Sequence, residues 1–162
     1  MTKMNDDGGL IGMRTEDLRV QALKNPLGIN ENPVFSWQLV SDKKDEKNER
    51  QTAYRILVSE SEASLINETG MLWDSGVVKE SRCFGILYQG KKLHSAQKAY
   101  WKVMVWDGEN QASVWSETAS FETGLLERED WKGTWIGQGE DYENQELAPV
   151  LVGEFEVADL EQ

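Results

Sequence analysis

The stretch from Lys98 to Asp107 constrains this chain more than any other. Ala99, Trp101, Val103 and Val105 fall on one side of an extended chain, and Tyr100, Lys102, Met104 and Trp106 on the other. Side chains of a strand alternate between two faces, so this spacing predicts a strand with one side in a core. Asp107-Gly108-Glu109-Asn110 follows with the residue types that make a turn. The same period appears in Phe35-Ser36-Trp37-Gln38-Leu39. It returns at Tyr54, Ile56 and Val58, with Ala53, Arg55 and Leu57 opposite, and at Leu18, Val20 and Ala22, before Pro26 and Gly28. Shorter strands are expected at Leu72–Asp74, running into Ser75-Gly76, and at Phe84–Tyr88, closed by Gly90. The last is expected from Ala112 to Thr123, broken by a bulge near Glu117 to Ala119.

Only Ser61–Ile66 has the makings of a helical turn, with Ser61 as its N-cap. Helical segments of the length an α/β fold needs are missing between the strands. Short strands separated by turn residues define an all-β chain, an antiparallel β-sandwich.

Charge divides the chain. Residues 1–124 carry 18 acidic and 15 basic side chains, whereas residues 125–162 carry 11 acidic and 2 basic. The expected organisation is therefore a mobile tail over 1–16, a β-sandwich over 17–124, and a linker with the first strands of a truncated second β-sandwich over 125–162. Ser41 to Arg50 is read as a charged loop. In the last part, Trp135-Ile136-Gly137 precedes an acidic loop, and Phe155-Glu156-Val157 closes on a strand without a following hairpin.

Several chemistries are poorly served by these residues. The formal charge of −12 disfavours a nucleic-acid partner, which needs clustered Lys and Arg. No apolar run exceeds four residues, too few to cross a bilayer, and the polar start lacks a signal-peptide pattern. A cytoplasmic location is the expectation. One Cys and one His cannot build a zinc site, and any nucleophilic arrangement would have to use His94 or Cys83, which are read as a surface histidine and a partly buried cysteine. Neither Asp42–Asp45 nor Asp107–Asn110 has the ligand spacing of a calcium loop. No catalytic residue, cofactor or metal is expected.

Seven tryptophans are the one enriched feature. Trp37 and Trp101 belong to faces assigned to the core. Trp106 and Trp115 stand apart, since Trp106 shares its face with Tyr100, Lys102 and Met104. Tyr100, Lys102, Trp106 and Trp115 are thus the candidate surface patch, an aromatic platform of the kind that stacks on sugar rings. Within it, the outward parity of Lys102 and the expected pairing of the last two strands place its ammonium over the Trp115 ring, as an exposed cation–π contact within about 6 Å.

An ordered series of motifs resembles the N-terminal region of bacterial α-L-rhamnosidases, large multidomain glycoside hydrolases. Phe35-Ser36-Trp37, Thr52 to Val58, Leu72-Trp73-Asp74-Ser75-Gly76 and Tyr100 to Asp107 stand first. Trp115-Ser116, Phe121 to Leu126 and Trp131…Trp135-Ile136-Gly137 then follow in order. The likeness covers residues 18–157. It implies a fibronectin type III-like, hence immunoglobulin-like, first domain and a second β-sandwich opening at the Trp…Trp-Ile segment. It also implies a later helical barrel whose acidic pair hydrolyses terminal α-L-rhamnosyl bonds. The expected role is a non-catalytic accessory domain whose partners are the other domains of its parent polypeptide. The alternative is a stand-alone carbohydrate- or protein-binding module. In one respect the chain departs from fibronectin type III domains, which place a corner tyrosine six residues after a leucine. Six residues after Leu93 stands Ala99, so the corner is expected to be weak and Ala99→Tyr to stabilise it.

Overall fold

The computed structural model describes residues 13–29, 32–41, 50–134 and 152–153. Seven strands occur among them: β1 (Met13–Val20), β2 (Val34–Ser41), β3 (Ala53–Ser59), β4 (Trp73–Asp74), β5 (Ile86–Leu87), β6 (Lys98–Trp106) and β7 (Ala119–Glu122). One short helix, α1 (Glu62–Ile66), lies between β3 and β4, and a 3₁₀ turn follows at Arg128–Asp130. The strands form two sheets, β1-β2-β5 and β4-β3-β6-β7, and every named pairing is antiparallel.

Period-two patterning explains the interior. Phe35 and Trp37 of β2, Ile56 and Val58 of β3, and Ala99, Trp101, Val103 and Val105 of β6 are all buried in one apolar layer. Phe35 sits at its centre, 4.6 Å from the Trp101 ring and 6.0 Å from Phe121 by ring centroids. Ser61 caps α1 as its sequence position requires, accepting a hydrogen bond from the Ser64 N–H at 3.1 Å.

Where the alternation breaks, the backbone supplies the reason. β1 begins at Met13, inside the segment expected to be a tail, and pairs with β2 from Met13↔Ser41 onward. A bulge between Glu16 and Arg19 then reverses its parity, so that Met13 and Thr15 are buried before it and Val20 after it. The strand stops at Val20, not Ala22, because Gln21 and Ala22 both take positive φ in a tight turn closed by two Val20–Leu23 backbone bonds. Residues 26–29 then cross to the other sheet, where Ile29 makes a parallel bridge to Thr123.

The expected strand from Ala112 to Thr123 is regular only over Ala119–Glu122. Upstream, serine hydroxyls stand in for ladder carbonyls: Ser116 Oγ accepts from the Val103 N–H and Ser113 Oγ from the Val105 N–H. Ser75 Oγ does the same for Ile56 N–H beyond β4. Both long edges of the four-stranded sheet are thus blunted by side chains rather than by further strand. The strand expected from Phe84 to Tyr88 shrinks to Ile86–Leu87, since Phe84 is exposed and Gly85 takes φ +68.

Ala99 is 0% exposed within the apolar layer. The expectation that Ala99→Tyr would stabilise a corner is therefore reversed, because no space exists for a phenol there. A tyrosine pin exists elsewhere: the Tyr88 hydroxyl donates to the Lys91 carbonyl at 2.9 Å and lies 3.4 Å from that of Leu72.

Two compact units divide the chain, Met1–Asp130 and Trp131–Gln162. Gly124, where the composition changes, lies inside the first. Leu126 packs against its core and donates its N–H to Ser95 Oγ, which in turn bonds Asp130. Of the second unit, Trp131 and Val152 are exposed, and the Trp131 ring lies against Gly133. The charged loop after Ser41, Trp135-Ile136-Gly137, the acidic loop and the closing Phe155–Val157 alternation lie outside the described residues.

Candidate binding surface

The outward face of the four-stranded sheet carries the candidate patch. Register sets Leu57 opposite Lys102, Arg55 opposite Met104, Ser59 opposite Tyr100 and Ala53 opposite Trp106. Helix α1 packs on β3 and β6, and its Leu65 is fully buried. Leu57 is likewise 0% exposed, so the middle of this face is covered although its parity is outward.

The Lys102 ammonium lies 4.6 Å from the centre of the Trp115 ring, inside the expected limit. Its setting differs from the expectation: Lys102 is only 8% exposed, a buried cation rather than a surface one. Arg55 approaches the same ring, its guanidinium carbon 5.8 Å from the centroid. Arg55 also grips Asp74 with two parallel hydrogen bonds of 2.9 and 2.7 Å, the paired geometry that guanidinium and carboxylate favour. Glu68 completes the group, 3.6 Å from Arg55 and 4.0 Å from Lys102.

Electrostatics follow this geometry. The hydrogen bonds from Arg55 hold the Asp74 carboxyl below its ordinary value and raise Arg55 in return. Lys102 is pulled below the usual lysine range, first by desolvation, which outweighs the attraction of Glu68.

The four expected patch residues do not form one platform. Lys102 and Trp115 meet. Tyr100 pairs instead with Lys98, whose ammonium lies 5.3 Å from its ring, and Trp106 stands at the far end of β6 beside Ala53 and Ala112. Sequence reasoning missed Arg55, Glu68 and Asp74. Arg55 had the outward parity, but its meeting with Asp74 depends on the β3–β4 register, Leu57↔Asp74, which no local pattern announces. His94 is exposed and Cys83 half-buried against the core. No group of three or more metal-ligating side chains occurs among the described residues, and no helix there is long and apolar enough to cross a membrane.

Two antiparallel sheets closed over an aromatic-rich layer, with one charged outer face, define an immunoglobulin-like sandwich. Residues 15–127 match the family model described as "Rha78A-like, N-terminal immunoglobulin domain", and the chain belongs to that family. It is 43% identical over 114 residues to an alpha-L-rhamnosidase of Alteromonas sp. (strain LOR), covering 70% of this chain and 12% of that protein. An alpha-L-rhamnosidase of Formosa agariphila is 42% identical over 118 residues, covering 72% and 12%. The fold is similar to that of the Dictyoglumus thermophilum alpha-L-rhamnosidase, with TM-score 0.72 and 42% identity over 78% of this chain and 14% of that one. The Streptomyces avermitilis alpha-L-rhamnosidase complexed with L-rhamnose gives TM-score 0.71 and 32% identity over 77% and 12%. The chain thus spans about an eighth of the length of the relatives it matches.

Proposed function

We propose that this chain is the non-catalytic N-terminal accessory domain of an α-L-rhamnosidase-like glycoside hydrolase. On this reading, terminal α-L-rhamnosyl bonds are cleaved by a downstream catalytic domain, and the sandwich packs on other domains of the same polypeptide. The observation that carries it is the match of residues 15–127 to an N-terminal domain family, joined to relatives bearing the rhamnosidase name of which the matched stretch covers only 12%. Chemistry agrees with the division of labour. The Asp74 carboxylate is gripped by Arg55 through two parallel hydrogen bonds and held below its ordinary value, which makes it a poor general acid.

An assay of the isolated chain tests the reading. It should release no p-nitrophenol from p-nitrophenyl α-L-rhamnopyranoside, and measurable turnover that survives repurification would refute the non-catalytic assignment. Reading the gene past Gln162 for a catalytic domain tests the other half.

A further inference from the structure

Residues 124–130 have the acidic composition expected of a linker, yet they are tied to the sandwich along their length. At the near end the Gly124 N–H donates to the Ile29 carbonyl at 2.9 Å, and the Ala96 N–H donates to the Gly124 carbonyl at 3.0 Å. Two residues on, the Leu126 N–H donates to Ser95 Oγ at 2.7 Å, and the Ser95 hydroxyl donates in turn to the Asp130 carboxylate. At the far end the Asp130 N–H donates to the Glu127 carbonyl at 3.1 Å, closing the 3₁₀ turn.

These ties are not equal. Lys92 meets Glu127 at 3.0 Å, but both side chains are more than half exposed, and such surface pairs contribute little. Leu126 adds one partly buried side chain, which lines an apolar groove with Val34, Leu87 and Leu93. Ser95 differs in kind. Its one hydroxyl accepts from Leu126 and donates to Asp130, so two points four residues apart depend on a single side chain. The bond to the Asp130 carboxylate is charge-assisted, and hence stronger than a neutral one.

The serine is itself held in place. Thr123, only 2% exposed, accepts from the Gln97 N–H at 2.9 Å and donates its hydroxyl proton to the His94 carbonyl. Gln97 Oε1 accepts from the His94 N–H at 2.8 Å. The loop around Ser95 is thus fastened from inside the sandwich, independently of the residues it holds down. Ordering the backbone of residues 124–130 opposes their attachment through lost entropy, so they stay down only while the strongest ties hold.

We propose that residues 124–130 form a strap latched by the Ser95 hydroxyl, which opens as a unit of its own while the sandwich stays folded. Closed, it makes the chain leave the sandwich at Asp130 instead of swinging from Gly124. Use of the strap as a rigid mount for a following domain rests on the accessory-domain reading. The latch does not, because every contact that makes it lies within residues 29–130.

Amide relaxation and hydrogen exchange of the whole 162-residue chain test the latch. Amides 125–130 should match the rigidity of β6, with order parameters of about 0.85, and values falling toward about 0.6 overturn the strap. In Ser95→Ala the Leu126 amide should exchange about tenfold faster, as loss of its hydrogen bond implies, while Val103 stays unchanged. Ser95→Thr, which keeps the hydroxyl, should restore the protection. Unchanged Leu126 exchange in a folded Ser95→Ala overturns the proposal. So does loosening that spreads through β6, which would make Ser95 a general support of the sandwich. Should Ser95→Ala fail to fold, Asp130→Ala removes only the far tie. It should free residues 128–130 while Leu126 stays protected, and mobility equal to the parent's would exclude the latch. A rigid strap in a chain whose gene encodes no following domain would sink the accessory reading and leave the latch standing.

Discussion

Strands β3 and β6 bury their inner faces completely and the middle of their outer ones, and they do it by different physics. Inward, Ile56, Val58, Trp101 and Val103 meet other apolar groups, and area removed from water is sufficient explanation. Outward, Lys102 is buried nearly as deeply, yet its neighbours are an indole, a guanidinium and a carboxylate. The inner face tolerates no change in volume because it is close-packed. The outer face balances a desolvated cation against a π surface and an ion pair, so its terms oppose each other. Substitutions on the two faces should therefore differ in size and in pH dependence.

The inner face should give the largest effect. Ala99 is 0% exposed between larger side chains, and a phenol there must displace them and bury its hydroxyl. Ala99→Tyr is expected to cost about 1–3 kcal/mol in urea or thermal unfolding. Unchanged or raised stability would restore the missing-corner reading and show that the inner layer has room to spare.

Tyr88 tests a polar atom placed at the edge of that apolar layer. Its hydroxyl bonds the Lys91 carbonyl, and Tyr88→Phe leaves the ring contacts with Phe35 and Trp73 in place. A loss of about 1 kcal/mol at neutral pH is expected. Burial pushes the Tyr88 phenol up to about 12. A group whose folded pKa is raised contributes stability that is complete below its unfolded value, about 10 for tyrosine, and is lost as pH climbs toward the folded one. The wild type should thus lose stability between about pH 10 and 12 more steeply than Tyr88→Phe does. Parallel curves would mean the hydroxyl is not shielded.

How much of this was legible in the sequence depends on whether the information was local. Ala99, Trp101, Val103 and Val105 declare the inner face because β6 keeps an unbroken period of two, and Ser61 declares α1 through its cap. β1 misleads because the bulge at Glu16–Arg19 reverses parity midway, which hid Met13 and Thr15 as inward residues. The last strand misleads because Ser113 and Ser116 take over ladder positions with their side chains. In the patch, the outward parity of Lys102 was readable and its contact with Trp115 followed. Its burial was not readable, since the cover comes from α1 and Trp115 across the sheet. Nor was the meeting of Arg55, Glu68 and Asp74, which join three separate segments.

The smallest expected effect is the most informative about the outer face. Lys102→Met keeps length and apolar stem but removes the charge. Lost with it is the cation–π contact, worth about 0.5–2 kcal/mol depending on desolvation, and the attraction of Glu68, which is itself partly exposed. Gained is relief from holding an ammonium out of water, the dominant influence on Lys102. These oppose, so the net change at pH 7 should stay within about 1 kcal/mol of zero, against the larger cost at Ala99. The pH dependence then reveals the hidden cost. Lys102 titrates below its unfolded value of about 10.4, so in that window the unfolded state holds more protons and wild-type stability gains with rising pH. The methionine variant lacks that gain. Its stability relative to wild type should therefore decline from pH 8 toward pH 10, measured by urea unfolding at each pH. A difference that stays flat would mean that the ammonium is hydrated after all, and a loss above about 2 kcal/mol at pH 7 would mean that the indole and Glu68 more than repay its burial.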